Sequence, residues 1–258
     1  MKAGLGRIVV LVLVLTVAVA AYGEVVQRGH VRVDVSGKLS PQTLPRTGSA
    51  PIAVSIGGRI TTTDGSASPT LKTLTIDINR KGRIDSTGLP VCPYRSIQPA
   101  SSTRALSACR SSLVGSGSFS AEIALEGQDP YRTKGTLLAF NGRKGGKPVL
   151  YGQIYAPRPF AASFVIVFAI EKAKGQFGTA LVAELPPSLR SWGNLTGIEL
   201  KLSRPYSYKG KRRSYLSAGC PAPKGFETVP FTLARASFGF AGGPILTSTL
   251  TRSCRARG

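Results

Sequence analysis

The chain has 258 residues, 42% of them hydrophobic, and its 34 Lys and Arg against 12 Asp and Glu give a formal net charge of +22. This hydrophobic content excludes a disordered polyelectrolyte, and the length suits one large all-β domain or two small ones with a real core. A single histidine disfavours hydrolysis at serine, cysteine or metal centres, which depend on histidine. The positive charge favours anionic partners without identifying them, although it also serves solubility alone.

Residues 1–23 have the layout of a secretory signal peptide. Lys2 and Arg7 come first, an apolar run fills residues 8–21, and small residues follow up to Gly23. The run is shorter than the about 20 residues that a membrane-spanning helix needs, so we expect cleavage and no retained anchor. We therefore predict a secreted or cell-envelope protein in which residues 24–258 form a single β-sandwich-like domain.

The rest of the chain alternates apolar and polar residues with the period of β-strands. Strands are predicted over residues 30–35, 52–63 and 71–79, with a bulge or bend at the glycine pair 57–58 in the second of them. From residue 118 the pattern returns, and the apolar run 164–170 predicts a central strand buried on both faces. Roughly eleven or twelve strands and no β-α-β rhythm predict an antiparallel β-sandwich or jelly roll.

One short helix is predicted near residues 101–113. Ser101 or Ser102 suits its first turn, and Leu106 and Cys109 follow at helical spacing. We expect this helix to cover one open end of a sheet.

Four cysteines allow three pairings, and an exported chain meets oxidising conditions. Proximity in sequence favours Cys92 with Cys109, around the helix, and Cys220 with Cys254, around the final strands. The spacings match no zinc pattern and His30 lies far away, so no metal site and no cofactor is predicted.

Residues 201–224 contain seven basic residues and no acid, with tyrosines interleaved. Cations that pair with phosphate or carboxylate, beside rings that stack on sugars or bases, are typical of a polyanion-binding surface. The candidate anion-binding residues are Lys209, Lys211, Arg212, Arg213, Tyr208 and Tyr215. The alternative is a solvated hairpin tip whose tyrosines pack inward.

These features favour a non-catalytic binding or structural protein that contacts an anionic cell-surface polymer or polysaccharide, with no specificity for nucleic acid. One alternative is a carbohydrate-active enzyme on a jelly-roll scaffold, which needs two carboxylates facing each other across a concave sheet. Another is an assembly module that presents its sheets to a second protein. The acids considered for a catalytic pair are Asp77, Glu122, Glu126, Asp129, Glu171, Glu184 and Glu199.

Several segments resemble those of a family of exported bacterial proteins that have no assigned activity. The segments are LPVCPYRSIQPAS, LLAFNG, SYKGKRRSYLSAGCPAPKGF, FTLARASFGF and TLTRSC. The resemblance implies export and a β-rich domain over nearly all of the mature chain. It assigns no catalytic or binding residue.

Overall fold

The structure is a computed structural model that describes residues 24–123 and 127–258. The predicted signal peptide, residues 1–23, lies outside the described residues. The described part forms eighteen strands and two α-helices. The strands are β1 (Glu24–Arg28), β2 (Val31–Ser40), β3 (Thr43–Pro45), β4 (Ala50–Pro51), β5 (Ala53–Thr62), β6 (Leu71–Asn79), β7 (Gly82–Ile84), β8 (Leu113–Ile123), β9 (Tyr131–Lys144), β10 (Lys147–Ala156), β11 (Ala162–Lys172), β12 (Phe177–Glu184), β13 (Asn194–Leu202), β14 (Pro205–Tyr208), β15 (Lys211–Ser214), β16 (Leu216–Ala218), β17 (Thr228–Phe240) and β18 (Ile245–Arg257). The helices are α1 (Ser102–Cys109) and α2 (Pro187–Trp192), with short 3-10 turns at Tyr94–Ser96 and Arg110–Ser112.

Thirteen of these strands form one sheet, in the order β1-β2-β5-β13-β8-β9-β10-β11-β12-β6-β17-β18-β3. Its neighbouring strands are antiparallel except β18 and β3, which pair in parallel. The predicted all-β class is therefore confirmed. Two small sheets, β14-β15 and β4-β16-β7, lie beside the large one.

The large sheet curls until its two ends meet. The backbone amide of Thr251 on β18 donates to the Glu24 carboxylate on β1 (3.0 Å), and the Arg252 guanidinium pairs with the same carboxylate (3.1 Å). Arg252 also donates to the carbonyl oxygen of Gly37 on β2. Side-chain contacts thus join the ends of the sheet, and its inner face encloses the main core.

Alternation along the strands decides which residues face that core. On β2, Val31, Val33 and Val35 are buried in the interior, while the intervening Arg32 and Asp34 form an ion pair on the outer face (3.1 Å). The same period holds along the neighbouring strands and produces two adjoining clusters of buried apolar side chains.

The short helix lies over the outer face of the sheet, which corrects the expectation that it covers an open end. Ile97 and Ala105, from the segment around α1, pack in one cluster with Phe140 on β9, Tyr151 on β10 and Val165 on β11. These strands carry apolar side chains on both faces, so their outer face also needs a cover. Within the apolar run 164–170, Val165 is buried on the outer side and Ile166 on the inner side, whereas the other five residues are only partly buried. The predicted burial on both faces is therefore found at these two positions alone.

The predicted bulge at Gly57 and Gly58 is wrong. β5 pairs in unbroken register with both β2 and β13 through these two positions. Gly57 instead permits close packing, because a Cβ there would lie 2.7 Å from the Ser36 hydroxyl oxygen. Register shifts occur at other points, one of them between Leu195 and Gly197 on β13.

Both predicted disulfides are confirmed. Cys92 bonds to Cys109 and Cys220 bonds to Cys254, with Cα–Cα distances of 5.4 and 5.8 Å. The first bond fixes α1 to the segment that precedes it. The second joins β18 to the chain that follows β16.

The double substitution Cys220→Ser with Cys254→Ser is expected to lower the free energy of unfolding by about 3–4 kcal/mol. In the wild type this disulfide closes the longer of the two loops, and removing it gives the unfolded chain more conformational entropy. Its sequence separation is 34 residues, against 17 for the other pair. Denaturant unfolding of the oxidised proteins measures the change, and Cys92→Ser with Cys109→Ser is the matched control, with a slightly smaller decrease. A decrease below about 1 kcal/mol for the longer loop would contradict this account.

Candidate anion-binding hairpin

Strands β14 and β15 form an antiparallel hairpin that stands apart from the large sheet. Lys209 and Gly210 make its two-residue turn, and both have positive φ angles, 48° and 71°. Two left-handed residues are typical of the type I′ turn that fits the twist of a tight hairpin. The turn therefore presents Lys209, which is exposed, at the tip.

The predicted residues divide between two faces and the turn of this hairpin. Tyr206 lies opposite Arg213, and Tyr208 lies opposite Lys211, so these four residues share one face. Arg212 lies opposite Ser207 on the other face. The first face is the one that contacts the body of the protein.

Two polar contacts hold that face against the turn after β7. The Arg213 guanidinium pairs with the Asp85 carboxylate at 2.7 Å. The Tyr206 hydroxyl donates to the carbonyl oxygen of Thr87 at 2.9 Å and lies 3.2 Å from that of Asp85. Burial and the nearby Asp85 charge raise the pKa of Tyr206, against the opposing effect of Arg213, so its hydroxyl stays a donor.

Asp85 is the charged centre of this attachment. Burial by itself would raise the pKa of its carboxyl group, but hydrogen bonds from Thr87 and the Arg213 guanidinium outweigh burial and hold the pKa below its usual value. The Thr87 amide donates to the carboxylate at 2.9 Å. Asp85 therefore remains ionised over the physiological range and keeps Arg213 turned toward the body.

The Tyr208 ring fills the space between the hairpin and Gly88. A Cβ on Gly88 would lie 2.1 Å from a ring carbon, and the φ angle of Gly88 is +79°, so glycine is required there on both counts. The Lys209 ammonium and the Arg213 guanidinium lie 5.6 and 5.8 Å from the ring centroid. Tyr208 is consequently half-buried and supports the cations around it.

Tyr215 does not share the surface of the other predicted residues. It is fully buried in the second core cluster with Leu89, Leu202 and Leu216. Burial raises the pKa of its hydroxyl group well above the usual value. For Tyr215, the alternative prediction that the tyrosines pack inward is therefore correct.

Lys209, Lys211 and Arg212 are the exposed cations of the hairpin. Within residues 24–123 and 127–258, the ion pairs at 4.0 Å or less include none of these three. Arg204, at the base of the hairpin, donates to the carbonyl oxygen of Ser111 at 3.2 Å. The hairpin thus presents three cations on a backbone that is fixed at both its base and its inner face.

Six of the seven carboxylates considered for catalysis belong to the described residues, and these six lie on the outer side of the curled sheet or in its connecting loops. Asp77 pairs with Arg235 (2.6 Å) and Glu122 with Arg132 (3.8 Å), while Glu126 lies outside the described residues. The remaining candidates are Asp129, in an exposed turn, Glu171 and Glu184, which line one open depression, and Glu199, which lines another with Asp34. Sequence reasoning did not single out Asp34. Each depression thus holds two acids, and the enzymatic alternative, which needs two acids facing each other across a concave sheet, stays a prediction.

His30 is exposed, and its Nδ1 lies 4.0 Å from the Asp64 carboxylate. The described residues contain no group of three His, Cys, Asp or Glu side chains placed to hold a metal ion. Nor do they include a helix long and apolar enough to cross a membrane.

Comparison of the chain with family models, with curated proteins and with solved structures finds no match. Its own geometry is therefore the basis for assigning a function.

Asp85→Asn is expected to destabilise the protein at pH 7 by about 0.5–1 kcal/mol, a modest value because the Arg213 pair is about one-third exposed. The folded-state pKa of Asp85 is depressed, so its contribution to stability is present above the unfolded pKa of about 3.9 and disappears as pH falls through the lower, folded value. The difference between wild type and variant should therefore vanish below that value. Denaturant unfolding across this pH range measures it.

Asp129→Asn, which changes an exposed acid in a turn, serves as the control and should match wild type throughout. A difference for Asp85→Asn that persists unchanged in acid would show that the ionised carboxylate is not what holds the hairpin.

Proposed function

We propose that this protein works outside the cytoplasm as a non-catalytic binding protein, and that the β14–β15 hairpin holds an anionic polymer. The observation that carries the proposal is the group of exposed cations Lys209, Lys211 and Arg212 on a hairpin anchored through Arg213 and Tyr206. A mobile loop loses backbone conformational entropy when it binds a ligand, which weakens binding. The backbone of an anchored hairpin is already ordered, so this entropic cost of binding is smaller.

The chemistry of the exposed side chains favours phosphate or carboxylate groups repeated along a chain. The planar guanidinium of Arg212 matches either group with two parallel hydrogen bonds, and the two lysines act as point charges that tolerate varied spacing. The net charge of +22 adds a long-range attraction that concentrates a polyanion near the surface. We therefore place a phosphate- or carboxylate-bearing polymer of the cell surface on this hairpin.

Two disulfides support an oxidising, extracellular type of environment, because such bonds persist where thiols are not kept reduced. Together with the signal-like residues 1–23, they support secretion or retention at the cell envelope. An anionic polymer of the cell envelope is accordingly the partner that we propose.

The triple substitution Lys209→Ala, Lys211→Ala and Arg212→Ala is expected to weaken binding to long-chain polyphosphate by about tenfold or more at physiological salt. The slope of log K against log salt should fall by about one for each cation that no longer pairs with the polymer. Polygalacturonate is the carboxylate probe in a parallel titration, and fluorescence anisotropy with labelled polymer measures both.

The matched control is Lys72→Ala, Lys144→Ala and Lys147→Ala, which removes the same charge from exposed positions elsewhere. It should change the affinity about twofold at most, through the weaker long-range attraction alone. Equal effects of the two triple variants would assign binding to diffuse charge and refute a hairpin site. Affinity that does not weaken with salt would refute charge pairing itself.

A further inference from the structure

The interior of the curled sheet contains a cavity of about 50 Å³ at its centre. Seven strands, β5, β6 and β9–β13, contribute to its wall together with Leu185, and every lining residue is aliphatic, aromatic or glycine. No polar atom of residues 24–123 and 127–258 faces it. The volume exceeds the about 10–15 Å³ that one water molecule occupies, but a wall without hydrogen-bond partners keeps such a space dry.

The cavity lies where the two core clusters meet. Ile76, Phe168 and Leu200 pack against both clusters, yet each remains partly accessible to a water-sized sphere although it faces the interior. Well-packed protein interiors leave few voids of this size. The two halves of the core therefore do not close completely over these three side chains.

Gly152, in the middle of β10, keeps this space open. Most inward or tightly packed glycines of the sheet are required by a close neighbour: a Cβ would lie 1.8 Å from the Glu199 carbonyl oxygen at Gly117, and 2.2 Å from the Tyr151 ring at Gly142. At Gly152 the nearest atom, on the Phe168 ring, would be 3.5 Å away, which is ordinary contact. A side chain would fit there, so packing does not explain the glycine.

A glycine inside a strand lowers stability and commonly marks a place where a ligand or another backbone approaches closely. Among the described residues, no other backbone lies against Gly152 closely enough to exclude a Cβ. We propose that the interior of this protein is a binding site for an apolar ligand, an unbranched alkyl chain, which lies over Gly152 between the two core clusters. The absence of any polar atom in the wall excludes a sugar or a charged group from this position.

A chain of several methylene groups is larger than the present cavity, and the Phe168 ring is the wall element that adapts to it. A ring carbon of Phe168 lies 3.5 Å from the position that a Cβ on Gly152 would occupy, and the proposal requires this ring to turn over the β10 backbone. A chain lying in the resulting space would contact Ile76 and Leu200, whose side chains are the ones left partly uncovered. This site is independent of the hairpin and takes a ligand of a different chemical class.

The test uses N-phenyl-1-naphthylamine, an uncharged dye that the basic surface does not attract, with 1-dodecanol as the competing alkyl chain. Wild type should bind the dye saturably, and the alcohol should displace it. Gly152→Val, which places a side chain in the space, should weaken dye affinity by about tenfold. Ser116→Val adds the same side chain on the exposed outer face of β8 and should leave binding unchanged.

The position of the ligand can be read from Trp192, the single tryptophan of the chain, which packs against Phe164 at 5.4 Å between ring centroids on the core side. 11-Bromo-1-undecanol should quench its fluorescence in wild type and in the hairpin triple variant, but much less in Gly152→Val. If Gly152→Val does not fold, Gly152→Ala replaces it, since its Cβ meets only ordinary contacts. No saturable dye binding by wild type, or equal binding by the folded Gly152 variant, would overturn the proposal.

Discussion

The structure depends on one constraint: a single continuous sheet carries the apolar side chains of the core on its inner face and polar side chains on much of its outer face. Once the sheet curls and Arg252 joins its ends through Glu24 and Gly37, alternate residues of the strands must face a closed apolar interior. The charges of those strands are driven outward, because an unpaired ion in the interior would cost far more than the fold can supply. The proposed anion site therefore lies on the outer surface, and the proposed apolar site lies in the interior.

The hairpin is held through a chain of non-local contacts. The turn that carries Asp85 continues to Pro90, whose carbonyl oxygen accepts a hydrogen bond from the buried Asn141 side chain at 2.9 Å. The amide of Cys92 in turn donates to the Asn141 backbone at 2.9 Å, and the disulfide to Cys109 lies directly beside it. The backbone beneath the hairpin is thus tied to the central strands.

How far the sequence predicts this structure depends on whether the determining contacts are local. The β6 strand and the α1 helix follow from residue period and capping over a few positions, and the disulfides follow from cysteines that are neighbours in sequence. Other features depend on residues that are far apart in sequence. Arg213 pairs with Asp85, and the Tyr208 ring packs against Gly88, over separations of more than 100 positions. No short sequence pattern contains such contacts, and the same is true of the strand order. The cavity at Gly152 could not be predicted from the sequence either, since an open space between the core clusters depends on how seven strands pack together.

The central claim is that an anionic polymer lies on the fixed hairpin, and a map of amide chemical shifts in ¹⁵N-labelled protein during titration with short-chain polyphosphate tests it most directly. The account predicts saturable shifts concentrated in residues 204–214 and in the 85–88 turn beneath them, with the core strands unchanged. Shifts spread evenly over all basic surface positions, with residues 204–214 no different from the rest, would contradict it.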